Sequence, residues 1–232
     1  MLKKLCFLSW SLSLTLFASE QLVVVVADDF ETSAAHLQRY EKVDDAYIKV
    51  GKPLSVNIGR NGLGWGLGHP FKHAADEPLK YEGDGKAPAG IFNLGSVFGY
   101  APEEKTAMPY LQSGKDLICI DDSSSSYYNR LYPITDQMVV KSFEWMRRDD
   151  ALYELGVTVD HNVKGEAQRG SCIFLHVEKG PKAPTAGCTS MPLSQLRTIT
   201  QWLDHDKKPL LIQIPKAYCQ QLQEHYPGVN CP

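Results

Sequence analysis

The feature that most constrains the fold is a set of short β-branched or aromatic runs, each closed off by Gly, Pro, Asp or Asn. LVVVVA (22–27), LSVNI (54–58), GIFNL (90–94), DLICI (116–120), SCIFLHV (171–177) and PLLIQI (209–214) all have the length and composition of strands. Helical spacing shows in KSFEWMRRDDALYEL (141–155) and in LSQLRTITQWLD (193–204). In the second of these, Leu196, Ile199, Trp202 and Leu203 share one face and Ser194 is placed to cap the start. Residues 33–42 fit either period. The expectation is a mainly β domain with a few helices packed on it.

The chain opens MLKKLCFLSWSLSLTLFAS: two lysines, an apolar run from Leu5 to Ala18, then small residues at Ala18 and Ser19. That is the pattern of a secretory signal peptide over residues 1–19, cleaved near Ser19 and too short for a comfortable membrane span. Cys6 does not close the apolar run, as a lipoprotein acceptor would. No later segment is apolar enough to span a bilayer, so a mature chain in the periplasm, or otherwise exported, is expected. The rest has the size of one domain, taken as 20–215, followed by a tail at 216–232. Without Lys3 and Lys4, 22 basic residues face 27 acidic ones, a balance that speaks against nucleic acid or an anionic membrane surface as a partner.

Export makes the cysteines informative. Losing Cys6 leaves Cys119, Cys172, Cys188, Cys219 and Cys231, an odd number for an oxidising compartment. Cys188, in TAGCTSMP (185–192), is the candidate for the unpaired one. Gly187 before it permits a tight backbone and a close approach, and Pro192 ends the loop. A short loop running into a helix would aim free N–H groups beside the sulfur, favouring a thiolate and an oxyanion. His176 lies twelve positions upstream, at the end of an apolar strand on which alternation puts Cys172, Phe174 and His176 on one side. The Gly- and Pro-rich connection can fold back and bring imidazole to thiol, as nucleophilic cysteine chemistry requires. A buried cysteine and a strand histidine satisfied by backbone is the bland alternative.

Further segments carry weaker signals. His69, His73 and Asp76 have a spacing suited to a metal, but Pro70 breaks the helix that this would need and no third strong ligand follows, so no metal is expected. GRNGLGWGLG (59–68) lacks the lysine of a phosphate loop and reads as a hairpin or cleft-edge loop in which Trp65 packs. DDSSSSYYNRLY (121–132) reads as a surface loop. The eleven residues between Cys219 and Cys231 include a Pro-Gly turn and follow the last core strand, which makes that pair easy to bridge. Cys119 and Cys172 then pair by exclusion or stay as buried thiols.

GSCIFLHVEKGPKAPTAGCTSM (170–191) resembles the active-site segment of the YkuD-type L,D-transpeptidases, in which a histidine is followed, past a loop, by [ST]-H-G-C. GDGKAPAGIFNL (83–94) is similar to that family's Gly-rich turn into a strand, and LVVVVADD, GKPLSVNIGRNGLGWGLG, WMRRDDALYELGVTVDHN and LLIQIP fit the same pattern, so the resemblance covers nearly the whole mature chain. It implies a mainly β, sandwich- or barrel-like catalytic domain without a cofactor, acting on peptidoglycan stem peptides. Cys188 would be the nucleophile and His176 the base, with Gly187 at the oxyanion and Thr185 matching beside the site. Two positions depart from the signature: Ala186 stands where the family has His, and Ser190 where it has Arg. His161, Arg147, Arg148 and Arg169 are candidates to supply the missing substrate contacts. The implied activity is transfer of an acyl group from a Cys thioester to an amine, forming a cross-link. The alternatives are an L,D-carboxypeptidase or hydrolase on the same scaffold, or a peptidoglycan-binding module with a dead site. Papain-like order, cysteine before histidine, does not fit.

Overall fold

The computed structural model describes residues 19–68 and 71–231; residues 1–18 of the expected signal peptide, and His69 of the possible metal triplet, lie outside them. The described strands are β1 (Gln21–Ala27), β2 (Ala34–Val43), β3 (Ala46–Asn57), β4 (Leu63–Trp65), β5 (Ala87–Gly99), β6 (Tyr110–Gln112), β7 (Leu117–Cys119), β8 (Leu131–Pro133), β9 (Glu144–Trp145), β10 (Leu155–Val159), β11 (Phe174–Val177), β12 (Thr189–Met191) and β13 (Leu210–Pro215). The α-helices are α1 (Leu193–Trp202) and α2 (Cys219–His225). The protein is mainly β, as the runs of the sequence imply.

Eight strands close on themselves in the order β10-β11-β12-β3-β2-β1-β13-β5, because β5 pairs β13 over Gly90–Asn93 and then β10 over Leu94–Gly99. One long strand thus serves two neighbours, and the sheet becomes a barrel with no free edge among the eight. Every residue of β1 and of β13 is buried, which is why both read as unbroken apolar runs. Of residues 33–42, undecided from periodicity, all but Ser33 fall in strand β2, held by pairing to β1 and β3 on both sides. Helix α1 packs against β10 and β11 through Leu196 and Ile199.

Two helical expectations fail. Residues 141–155 form no helix: Trp145 pairs Ile118 and Glu144 pairs Cys119, making β9 the partner of β7 in a second sheet, β8-β7-β9. Met146, fully buried beneath that sheet, supplies an apolar anchor that local periodicity does not reveal. Helix α1 starts at Pro192 rather than on a Ser194 cap. The Pro192 carbonyl accepts the Gln195 and Leu196 N–H groups at 2.9 and 3.0 Å, and no side chain caps the end.

The small sheet closes over a second apolar cluster of Phe98, Leu117, Cys119, Met146, Tyr153, Cys172, Phe174 and Cys188. A disulfide between Cys119 and Cys172 ties β7 to the segment entering β11. A second joins Cys219 to Cys231 in the C-terminal segment, whose Leu222 and Val229 enter the main core. The Tyr47 N–H donates to the Pro227 carbonyl at 2.8 Å, and the Tyr226 ring meets Tyr47 edge-on. Residues 216–231 are therefore packed as part of the barrel's outer layer.

Candidate functional site

Cys188 is the free cysteine among the described residues; the other four are bridged. It stands immediately before β12, whose parallel partner β11 carries His176 opposite Ser190. The sequence reading placed the sulfur at a helix entrance, but the three residues of β12 intervene before α1 begins. The thiol instead points into the second cluster, donating to the Cys172 carbonyl at 3.4 Å and accepting the Phe174 N–H at 3.3 Å. Cys172 itself has φ 54°, so it leaves the alternation expected from 171 onward, and the strand starts at Phe174. Its own N–H is held by Asn129 Oδ1 at 2.9 Å.

Cys188 and His176 line one cavity of about 480 Å³, with Gly187, Thr185, Ser190 and Arg148 among its walls. Gly187 is required by a close approach: a Cβ there would lie 2.9 Å from the Lys86 carbonyl oxygen. Its N–H donates to Thr185 Oγ1 at 3.1 Å, and the same hydroxyl donates to the Cys188 carbonyl at 2.6 Å. Thr185 therefore locks the turn that presents the sulfur. It also occupies, in this state, the N–H expected to face an oxyanion.

His176 Nδ1 lies 2.8 Å from the Val177 carbonyl oxygen. A carbonyl only accepts, so Nδ1 carries the proton and Nε2 keeps the lone pair of a base. Burial holds the imidazole down at about 4, against a weaker upward pull from that carbonyl. Burial pushes the Cys188 thiol up to about 12; the Glu144 charge adds to this, while the Phe174 N–H and Lys80 oppose it. Thiol and imidazole are both neutral at rest, the reverse of the thiolate expected from a helix entrance.

The remaining candidates separate. Arg148 reaches the cavity, where Asp150 grips it through contacts of 2.9 Å and its guanidinium sits 5.3 Å over the Tyr153 ring. Arg147 turns to a neighbouring groove, donating to the Tyr100 and Ser113 carbonyls and stacking on Tyr100. Arg169 lies over Tyr81 and donates to the Lys80 carbonyl. His161 is buried and used by the fold: Nδ1 accepts the Leu67 N–H at 3.2 Å, Nε2 meets the Arg169 carbonyl at 2.9 Å, and the ring packs edge-on to Phe92. Arg147, Arg169 and His161 are absent from the cavity wall. His73 stacks on Trp65, and no cluster of metal-ligating side chains occurs among the described residues.

Sequence reasoning missed Lys80, Glu82, Glu144 and Tyr153, which also line the cavity. Lys80 is buried and paired with Asp84 at 2.5 Å. Glu82 accepts from Ser171 Oγ at 2.7 Å and from the Tyr128 hydroxyl. Tyr153 donates to Glu144 Oε2 at 2.5 Å and sets its ring edge-on to His176, centroids 5.4 Å apart. Desolvation raises the Glu144 carboxyl above its ordinary range. The only signal for these residues was their type, since they come from segments far from Cys188 in the chain: Lys80 and Glu82 from one loop, Glu144 from β9 and Tyr153 from the turn before β10. The expected surface loop at 121–132 also contributes inward: Tyr128 is buried, whereas Tyr127 is exposed.

Fold and site together define a disulfide-tied β-barrel protein with a buried His–Cys pair in a cavity of mixed charge. No protein-family model matches the chain, and no curated protein matches it. Among solved structures, the helical cell shape determining protein Pgp2 from Campylobacter jejuni is similar over 84% of this chain and 48% of that one, at 14% identity and a TM-score of 0.41. The chain spans about half the length of that protein. No described helix is long and apolar enough to cross a membrane.

Proposed function

We propose that the protein is an exported cysteine acyltransferase of the YkuD type, cleaving an L,D peptide bond in a peptidoglycan stem and passing the acyl group to an amine. One observation carries the reading: the unpaired thiol, Cys188, shares a cavity with an imidazole, His176, whose tautomer leaves Nε2 as the base. The two structural disulfides suit the exported setting.

A thiol at about 12 beside an imidazole at about 4 does not form an ion pair in advance. The proton therefore passes to His176 as the sulfur attacks the substrate carbonyl, in one general-base step. The C–S bond forms, the C–N bond breaks as the leaving amine takes the proton back from His176, and a thioester remains. An amine or a water then attacks that thioester and releases the thiol. Backbone N–H groups of the 187–188 turn face the developing oxyanion once Gly187 gives up its bond to Thr185.

The test is incubation of mature protein with disaccharide-tetrapeptide and mass analysis of the products. Cross-linked dimers support transpeptidation, and loss of one residue without dimers supports an L,D-carboxypeptidase. Unchanged substrate, with no adduct on Cys188, overturns catalysis in favour of a binding module.

A further inference from the structure

Ser190 is 1% exposed, lines the cavity, and its Oγ has no hydrogen-bond partner in the protein. A buried hydroxyl left unpaired destabilises a fold, so the barrel itself gives no reason to keep one here. Its position does. Ser190 is the residue of β12 directly opposite His176 on β11, and it follows Cys188 by two, so alternation sends both side chains to the cavity face. Ser190 thus shares one cavity wall with the base and the nucleophile. A hydroxyl can donate one hydrogen bond and accept others, the combination needed to hold a small polar molecule such as water or a primary amine.

We propose that Ser190 seats the acceptor that resolves the thioester, holding it beside His176. The inference rests on the acyltransferase reading above and assigns a residue to its second half. The acceptor donates one hydrogen to His176 Nε2 and is fixed by Ser190 Oγ. Its lone pair attacks the thioester carbonyl, the C–O or C–N bond forms and the C–S bond breaks. The proton taken by His176 passes to the departing sulfur, restoring the thiol and the neutral imidazole. Ala186, close by on the same wall, adds no polar group that would compete for the acceptor.

Ser190→Ala separates this role from a structural one. The variant removes an unpaired buried oxygen, so its urea midpoint equals or exceeds that of the parent. Thioester formation on Cys188, followed by intact mass after rapid mixing with disaccharide-tetrapeptide, keeps its rate. Decay of the thioester slows by about tenfold or more, the size of one hydrogen bond gained in the transition state, and the acyl adduct accumulates. Equal thioester lifetimes in parent and variant overturn the role of Ser190 while leaving the acyltransferase reading intact. A variant that loses stability overturns it too, since the hydroxyl would then be serving the fold. A parent protein that never forms the thioester overturns both.

Discussion

At the residue scale, the site brings into one cavity a thiol and an imidazole that are both neutral at rest. Burial is responsible for both. On the acyltransferase reading, a carbapenem, whose strained lactam imitates the acyl donor, should acylate Cys188, and replacing Cys188 with Ala should abolish that adduct. Replacing His176 with Ala slows acylation by a comparable factor, and the double variant is no worse than either single one, because the two act as a unit. Mass mapping of the adduct checks this, and labelling at another cysteine would refute it. The acid limb of the acylation rate should fall near pH 4, where His176 takes up its proton, rather than near 6.5. A rate profile from pH 3.5 to 8 reads this directly. Gly187→Ala would force a Cβ to 2.9 Å from the Lys86 oxygen and shift the turn that Thr185 holds, so acylation falls even though no reacting group is lost.

At the scale of elements, the disulfides perform different jobs. Cys119–Cys172 spans 53 positions and joins the small sheet to the residue whose carbonyl receives the Cys188 thiol. Cys219–Cys231 spans 12 and closes only the C-terminal segment. Chain entropy assigns about 4 kcal/mol to the first and about 3 kcal/mol to the second. Urea titration of Cys119→Ala/Cys172→Ala and of Cys219→Ala/Cys231→Ala measures both costs. The first pair also accelerates alkylation of Cys188 at neutral pH, because the thiol's acceptor is released and the sheet above it loosens. The second pair leaves that rate unchanged. Equal alkylation in the two double variants would show that the first bridge does not organise the site.

At the scale of the whole molecule, the barrel buries two imidazoles, His161 against its outer loops and His176 in the cavity, each held at about 4 against an ordinary 6.5. Between those values the unfolded chain binds protons that the folded chain refuses. Stability is therefore fully present above pH 6.5 and falls as the pH drops through the window to about 4. Each histidine accounts for roughly 3 kcal/mol over that range. Glu144, raised by burial, acts in the opposite sense and softens the slope. Urea midpoints at pH 7, 5.5 and 4.5 should decline steadily, and His161→Gln should flatten the decline by about half without touching the cavity. A midpoint independent of pH would contradict the burial of both rings.

The sequence alone determined what short-range chemistry can write. Its β-branched runs marked β1, β13 and parts of β3, β5, β7 and β11, its apolar stripe marked α1, and an odd cysteine after a glycine, with a histidine upstream, marked the pair. These signals are local: a period of two, a period of 3.6, a parity count. The tertiary structure alone decided everything that depends on distant partners. It made 144–145 a strand by pairing it with β7, closed the barrel by letting β5 serve both β13 and β10, and turned Cys172 out of its strand. It also collected Lys80, Glu82, Glu144 and Tyr153 around the thiol and drew His161 away to Leu67 and Arg169. Proton affinity belongs to this second group, because a thiol's preference for its neutral form is set by the apolar groups and charges that the fold packs around it, wherever in the chain they originate.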